Sequence, residues 1–209
     1  MFPYTRSSSD FGKYLITTSL AGTFGGTPDN LIDNLIKKIN EFKDFNINEI
    51  LGVIREDNRS LEISKATILG LNYWKKELHL LFNLWYGFNY QPALSNNYPS
   101  VDHIFPQSAL KRIKMANPET GKMNLMKYKW WHRDQIGNLM LLTFRENGAG
   151  GKTDILPEVW FANKPESYLD LHLIPKDREL WKLENYERFI EARKELILNH
   201  FSYLIKKQN

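Results

Sequence analysis

Val101-Asp102-His103-Ile104-Phe105-Pro106-Gln107-Ser108 (VDHIFPQS) is the stretch on which the reading of this chain turns. It is short, apolar-rich and ended by proline, which predicts a strand over Val101–Pro106. Neighbouring side chains in a strand point to opposite faces, so a hard oxygen ligand, Asp102, stands directly beside an imidazole, His103, without crowding it. A carboxylate can hold a divalent cation while an adjacent histidine, brought round by a bend, takes a proton from a nearby water. Alone, an Asp-His pair can as well be a strand-end hydrogen bond. Two further stretches give it weight. Gly137–Thr143 (GNLMLLT), following Ile136, is an apolar run of strand length, and ENGAGGK spans residues 146–152. Asn147 offers a neutral carbonyl oxygen as a second ligand, in keeping with magnesium sites that use only one or two protein groups. By themselves, Asn147-Gly148 is turn chemistry and Gly148, Gly150 and Gly151 make a flexible loop.

Outward from these stretches the chain is helical. GFNYQPALSNNYPS, residues 87–100, reads as a loop, with a soft boundary near residue 98. Upstream, Thr27-Pro28-Asp29 starts a helix whose Leu31, Leu35, Ile36, Ile39 and Phe42 recur at helical spacing, to about Phe45. Asn48–Arg55 is a second helix, with Ile50, Val53 and Ile54 on one face. Ser64 caps a third that contains Ile68, Leu69, Leu71 and Trp74 and runs toward Leu78 and Leu81. Downstream, Tyr186, Phe189, Ile190, Ile197, Phe201 and Leu204 form a stripe with no Gly or Pro from Glu184 to Ile205. The fold class that follows is mainly α with a small embedded α+β unit: a helical region over 1–98, a core over 99–165 and a C-terminal helical segment over 166–209. Arg193 falls on the last stripe and is expected to be buried against a carboxylate or a carbonyl, serving the fold. His79, His172 and His200 read as structural, and His132 as a packing or surface residue or a phosphate contact.

Composition narrows the chemistry. The 209 residues include no cysteine, which excludes disulfides and thiolate zinc sites, and only five histidines, which favours magnesium or manganese over zinc. No run of some 18 apolar residues and no signal-peptide pattern is present, so a soluble, non-secreted, cytoplasmic protein is expected. The net charge is +4, yet Val101–Lys152 holds nine Lys/Arg against four acids, +5, leaving the remainder at −1. A basic middle points to a polyanion such as DNA, with Lys127, Lys129 and Arg133 as a candidate track; a solvated charged face is the alternative. Trp130 and Trp131, beside those cations, belong either to core packing or to a nucleic-acid contact.

DHIFPQS, followed by IGNLMLL and then by Glu146-Asn147 with a downstream lysine, resembles the His-Asn-Asn variant of the HNH, or ββα-metal, nucleases. It is particularly similar to the C-terminal nuclease half of the GmrSD-type modification-dependent restriction proteins, and DHIFPQS also resembles the HNH motif of the RNA-guided CRISPR nucleases. WFANK, LHLIP and YERFIEARKELI are similar to that restriction family's closing helices, and the likeness covers roughly residues 15 to 205.

The resemblance implies a ββα-metal core hydrolysing phosphodiester bonds with Mg2+ or Mn2+. Asp102 matches the metal-binding aspartate, His103 the general base, Asn147 the second metal ligand at the start of the family's helix and Asn138 the middle asparagine that supports the loop and orients the histidine. Lys152 falls near the expected scissile phosphate, and Gln107 and Arg145 flank the site as candidate DNA-backbone contacts. The third motif residue is Asn where the literal HNH name has His. The implied role is the effector of a bacterial anti-phage restriction system, regulated by a nucleotide-hydrolysing domain or chain. No GxxxxGK[ST] loop occurs in this sequence, so the chain reads as the nuclease half of a longer or two-chain protein. A homodimer would turn nicking into double-strand cleavage. A non-cleaving DNA-binding or protein-interaction module on the same scaffold, and a ribonuclease, are the alternatives.

Overall fold

The computed structural model describes residues 6–41, 46–87, 100–147 and 151–205. The chain divides into two compact units, Met1–Ile68 with Tyr203–Asn209, and Leu69–Ser202.

The first unit is built on α1 (Arg6–Leu20), α2 (Asp29–Glu41) and α3 (Ile47–Glu56), followed by α4 (Lys65–Leu69). Asn46 caps α3, its side-chain oxygen accepting from the Asn48 backbone N–H at 3.1 Å, which satisfies one of the donors a helix start leaves open. Leu31 and Leu35 of α2 pack with Ile50, Val53 and Ile54 of α3, joined by Tyr14 and Leu61. Each such burial contributes about 1.5–3 kcal/mol. The stripe on α2 is narrower than its periodicity predicts: Ile36 and Ile39 are exposed, because Ile36 lies about 100° round the helix from Leu35. Phe42, Phe45 and the rest of that helix's expected end lie outside the described residues. Arg59 donates to the carbonyls of Gly25 at 2.6 Å and Thr27 at 3.1 Å, pinning the α1–α2 connection.

The second unit holds the motifs. After α5 (Glu77–Trp85) come β1 (Ser100–His103), α6 (Gln107–Arg112), β2 (Lys114–Ala116), β3 (Met123–Met126) and α7 (Trp130–Arg133). A 3-10 turn over Ile136–Asn138 leads into β4 (Leu139–Leu142) and α8 (Phe144–Asn147). Then follow α9 (Pro157–Trp160), α10 (Glu166–Leu171), 3-10 turns over Arg178–Trp181 and Leu183–Asn185, and α11 (Tyr186–His200). β1 and β4 pair antiparallel, with Asp102 opposite Met140 and His103 opposite Leu139, and α8 follows directly. The described residues are thus mainly helical with two small antiparallel sheets, the other being the β2–β3 hairpin. Among them, no helix is long and apolar enough to cross a membrane.

The core of this unit explains the local departures from periodicity. β4 is buried on both faces, and Phe105 meets Tyr186 and Phe189 of α11 edge-to-face at 5.2 and 5.0 Å. The expected strand from Gly137 begins only at Leu139, because Gly137 and Asn138 are spent on the turn. A Cβ at Gly137 would stand 3.1 Å from Ile190 Cγ2, so glycine there allows α11 to approach. The expected third helix breaks after Leu69. Asn72 accepts from the Trp74 N–H and forms an isolated antiparallel bridge to Gln135, so Leu71 is buried while Trp74 is exposed. The loop expected over 87–100 lies, except for its ends, outside the described residues.

Arg193 is completely buried in α11 and has carbonyls, not a carboxylate, for partners. Its guanidinium donates to Ile136 O, Gly137 O and Leu139 O at 3.2, 3.0 and 2.7 Å, and to Leu173 O and His172 O at 3.2 and 3.0 Å. Burial pushes its pKa down to about 9, which leaves it charged at neutral pH. One side chain therefore clamps the turn before β4 to the end of α10.

Candidate active site

Asp102 and His103 end β1, and the chain then bends at Ile104–Phe105 into Pro106, which starts α6. Asn138 makes the bend. Its side-chain oxygen accepts from Phe105 N at 2.8 Å, and its amide nitrogen donates to Phe105 O at 3.2 Å and Arg133 O at 2.8 Å. With no exposure at all, Asn138 has to make these bonds with protein rather than water, and so it fixes the backbone that carries His103.

The imidazole is held by residues remote in sequence. His103 Nε2 lies 2.9 Å from Asp134 Oδ1, and Gln107 Nε2 lies 3.0 Å from the same oxygen and 3.1 Å from His103 Nε2. An amide NH2 and a ring N–H both donate, so both are directed at the carboxylate. This arrangement places the His103 proton on Nε2 and the lone pair on Nδ1. Nδ1 makes no hydrogen bond to a described residue. Tyr73 stacks on the ring, with centroids 5.3 Å apart and planes at 25°. Burial pushes the His103 pKa below its ordinary value, against the opposing pull of the Asp134 hydrogen bond, so the neutral ring is favoured.

Asp102 faces a second buried cluster. Lys152, with no solvent exposure, places Nζ 3.2 Å from Asp102 Oδ2 and also donates to the His103 carbonyl. Burial lowers the Lys152 pKa, with Asp102 pulling the other way. Asp102 Oδ2 makes no hydrogen bond despite its burial; the ammonium meets it as a charge rather than along a hydrogen-bond direction. Gly151 permits this placement, since a Cβ there would lie 2.2 Å from Glu146 O. Asn147, expected at the start of a helix, instead ends α8, which begins three residues earlier at Phe144; it donates from Nδ2 to Ser100 Oγ at 2.8 Å, which leaves Oδ1 as its remaining side-chain polar atom. Among the described residues no three His, Asp or Glu side chains converge, so any cation here would have at most two such ligands together with amide oxygens and water.

A family model described as GmrSD restriction endonucleases, C-terminal domain, matches residues 55–200, more than two thirds of the chain. The chain belongs to this family. No curated protein matches it. Membership makes it a restriction-endonuclease domain.

Within this GmrSD domain the expected site residues separate into two sets. Asp102, His103, Asn138 and Asn147 lie on or beside β1, β4 and α8, with Lys152 and Gln107 joined to them by the contacts above. Lys152, expected near a phosphate, is internal and braces Asp102, because its ammonium is sealed from solvent. Gln107 is committed to Asp134 and His103. The track of Lys127, Lys129 and Arg133 is not brought together as a surface: Arg133 is buried and donates to Tyr128 O at 3.0 Å, and Lys127 pairs with Glu187 at 3.0 Å. Arg145 is exposed on α8, and Gly148 and Gly150 lie outside the described residues. Sequence reasoning missed Asp134, Tyr73 and Trp74. The acid in WWHRDQIGN was visible, but nothing local links it to a histidine 31 residues away.

Proposed function

We propose that this domain is a divalent-cation-dependent DNA endonuclease or nickase of the ββα-metal type, with its catalytic core in residues 99–165, acting as effector of a bacterial anti-phage restriction system. The observation that carries the reading is the imidazole of His103, held at Nε2 by Asp134 so that Nδ1 is the available base, beside the Asp102 carboxylate, whose Oδ2 is braced by Lys152. The other Asp102 oxygen, Oδ1, and the amide oxygen of Asn147 suit a hard cation. Asp102 and Asn147 would hold magnesium or manganese, which when bound supplies positive charge for the phosphate and departing oxygens. His103 Nδ1 takes a proton from water as the water oxygen bonds to phosphorus and the P–O3′ bond breaks. The departing 3′ oxygen takes up a proton from solvent, leaving 5′-phosphate and 3′-hydroxyl ends. Lys152 keeps Asp102 in place, and Asn138 keeps the β1 bend that presents His103. The regulatory domain or chain, and the cytoplasm as the place of action, belong to the same reading.

The test is conversion of supercoiled plasmid to nicked and linear forms with magnesium, manganese or EDTA. Conversion is expected only with metal, and His103→Ala is expected to slow it by about 10² to 10⁴, the usual cost of losing a general base. Equal conversion by wild type and His103→Ala would overturn the assignment of the base. Tight plasmid binding without cutting under any condition would favour a non-cleaving module.

A further inference from the structure

We infer that Tyr73 and Trp74 form a stacking subsite for an unpaired nucleobase of the strand being cut, directly beside His103; this rests on the nuclease reading above and adds its substrate class. Leu71–Trp74 runs along the segment that carries Asp134. Ile136 N donates to Leu71 O at 3.1 Å, Tyr73 N donates to Asp134 O at 2.9 Å, and Asn72 bridges Gln135. Within this strap, Tyr73 lies on the His103 ring, and Trp74 sends its indole N–H to Asp134 Oδ2 at 3.1 Å. The two rings meet edge-on at 5.3 Å. The Trp74 ring is therefore fixed by a buried carboxylate at its polar edge, yet it is 69% exposed. A second exposed aromatic pair, Trp130 and Trp131, belongs to α7, which ends just before Asp134, whose N–H donates to Trp130 O at 2.8 Å.

The surroundings decide the class of ligand. Lys75 and Lys76 follow Trp74, are exposed, and make no ion pair among the described residues. Lysine is depleted at protein–protein interfaces, whereas cations interleaved with aromatic rings suit a nucleic-acid strand, with phosphates on the ammonium groups and bases on the rings. Bases inside a duplex already have both faces stacked, so an aromatic face next to the catalytic imidazole takes only a base that is unpaired or turned out of the helix. A ring pinned before binding loses little freedom when a base stacks on it. The substrate class is thus a strand with unpaired nucleotides at the cut: a single strand, a gap or a flipped base.

The probe is fluorescein-labelled oligothymidylate, with oligouridylate and a mixed-sequence duplex in parallel, measured by anisotropy in EDTA so that nothing is cleaved. Trp74→Ala is expected to weaken oligothymidylate binding about 5- to 150-fold, while Trp74→Phe, which keeps a ring and loses the indole N–H, stays within about threefold of wild type. Duplex affinity should move by less than about twofold in both variants. Comparable losses on oligouridylate would extend the subsite to RNA strands, and a loss on oligothymidylate alone would confine it to DNA. The proposal is overturned if Trp74→Ala binds oligothymidylate as wild type does, as expected of rings that belong to a protein interface. It is also overturned if Trp74→Phe loses as much as Trp74→Ala, because the effect would then run through Asp134. Since no cleavage enters this assay, its outcome is independent of the His103→Ala plasmid result, and either reading can fail alone.

Discussion

Asp134→Ala should cost nearly as much activity as removing His103 itself. The carboxylate is almost entirely buried and receives three donors: His103 Nε2 at 2.9 Å, Gln107 Nε2 at 3.0 Å and Trp74 Nε1 at 3.1 Å. Alanine leaves all three without an acceptor. Each unmade buried bond costs about 1–3 kcal/mol, but Trp74 and Gln107 can turn partly toward water, so the loss of stability should be about 2–4 kcal/mol. The kinetic loss has a separate origin. Without Asp134 nothing holds the proton on Nε2, so the ring can carry it on Nδ1 or swing about its Cβ, and in either state Nδ1 is not a base. Plasmid cleavage should fall by about 10² to 10⁴, the full value of a general base. Asp134→Asn retains one oxygen, which can still accept from both His103 and Gln107 at the expense of Trp74, and should recover activity to within about 10- to 100-fold of wild type. Initial nicking rates under magnesium give the activity, urea unfolding gives the stability, and ring 15N shifts of His103 report the tautomer. An Asp134→Ala protein that is folded, nicks within about threefold of wild type and keeps the proton on Nε2 would refute the reasoning, because then the carboxylate neither orients nor tautomerically selects the base.

Two more perturbations address the scaffold. Arg193→Met removes the donor of five backbone carbonyl bonds; set against the relief of burying a charge, the net cost should be about 3–5 kcal/mol in urea unfolding, and Arg188→Ala on the exposed face of α11 should change stability by less than about 0.5 kcal/mol. A value below about 1 kcal/mol for Arg193→Met would remove the clamp from the account. His172, hydrogen-bonded to Tyr86 Oη at 2.8 Å, has its pKa pushed down to about 3 by burial and then by Arg193. The unfolded histidine binds its proton near pH 6.5, so between about pH 6.5 and 3 the unfolded state is favoured on acidification, and stability should fall by about 1.4 kcal/mol per pH unit in that window. His172→Gln should flatten the slope by that amount; an unchanged slope would mean that His172 protonates in the folded protein.

What could be read along the chain, and what could not, follows from how far each signal reaches. The apolar stripe of α11 was legible because burial along one helix repeats at 3.6 residues, and it placed Tyr186, Phe189, Ile190 and Ile197 in the core. The same rule failed at Trp74. Gly70 and Asn72 end the helix first, and Asn72 pairs with Gln135. The β2–β3 hairpin was not legible at all, since its residues are exposed on both faces and show no alternation. Arg193 was legible as a buried charge but not as a clamp, because its partners are backbone carbonyls, which every residue has and no sequence marks.

By itself the sequence determined the chemical inventory of the candidate site: a carboxylate next to an imidazole at 102 and 103, carboxamides at 138 and 147, no thiol, and two short apolar strands beside them. Those are local facts, fixed by residue type and spacing. The tertiary structure decided which atoms face one another. It brought Asp134 to His103 across 31 residues and Trp74 to Asp134 across 60, set Lys152 inside against Asp102, and took Arg133 off the surface. A hydrogen bond requires its partners within about 3 Å and aligned, and between residues so distant that condition is met only when the intervening chain has folded.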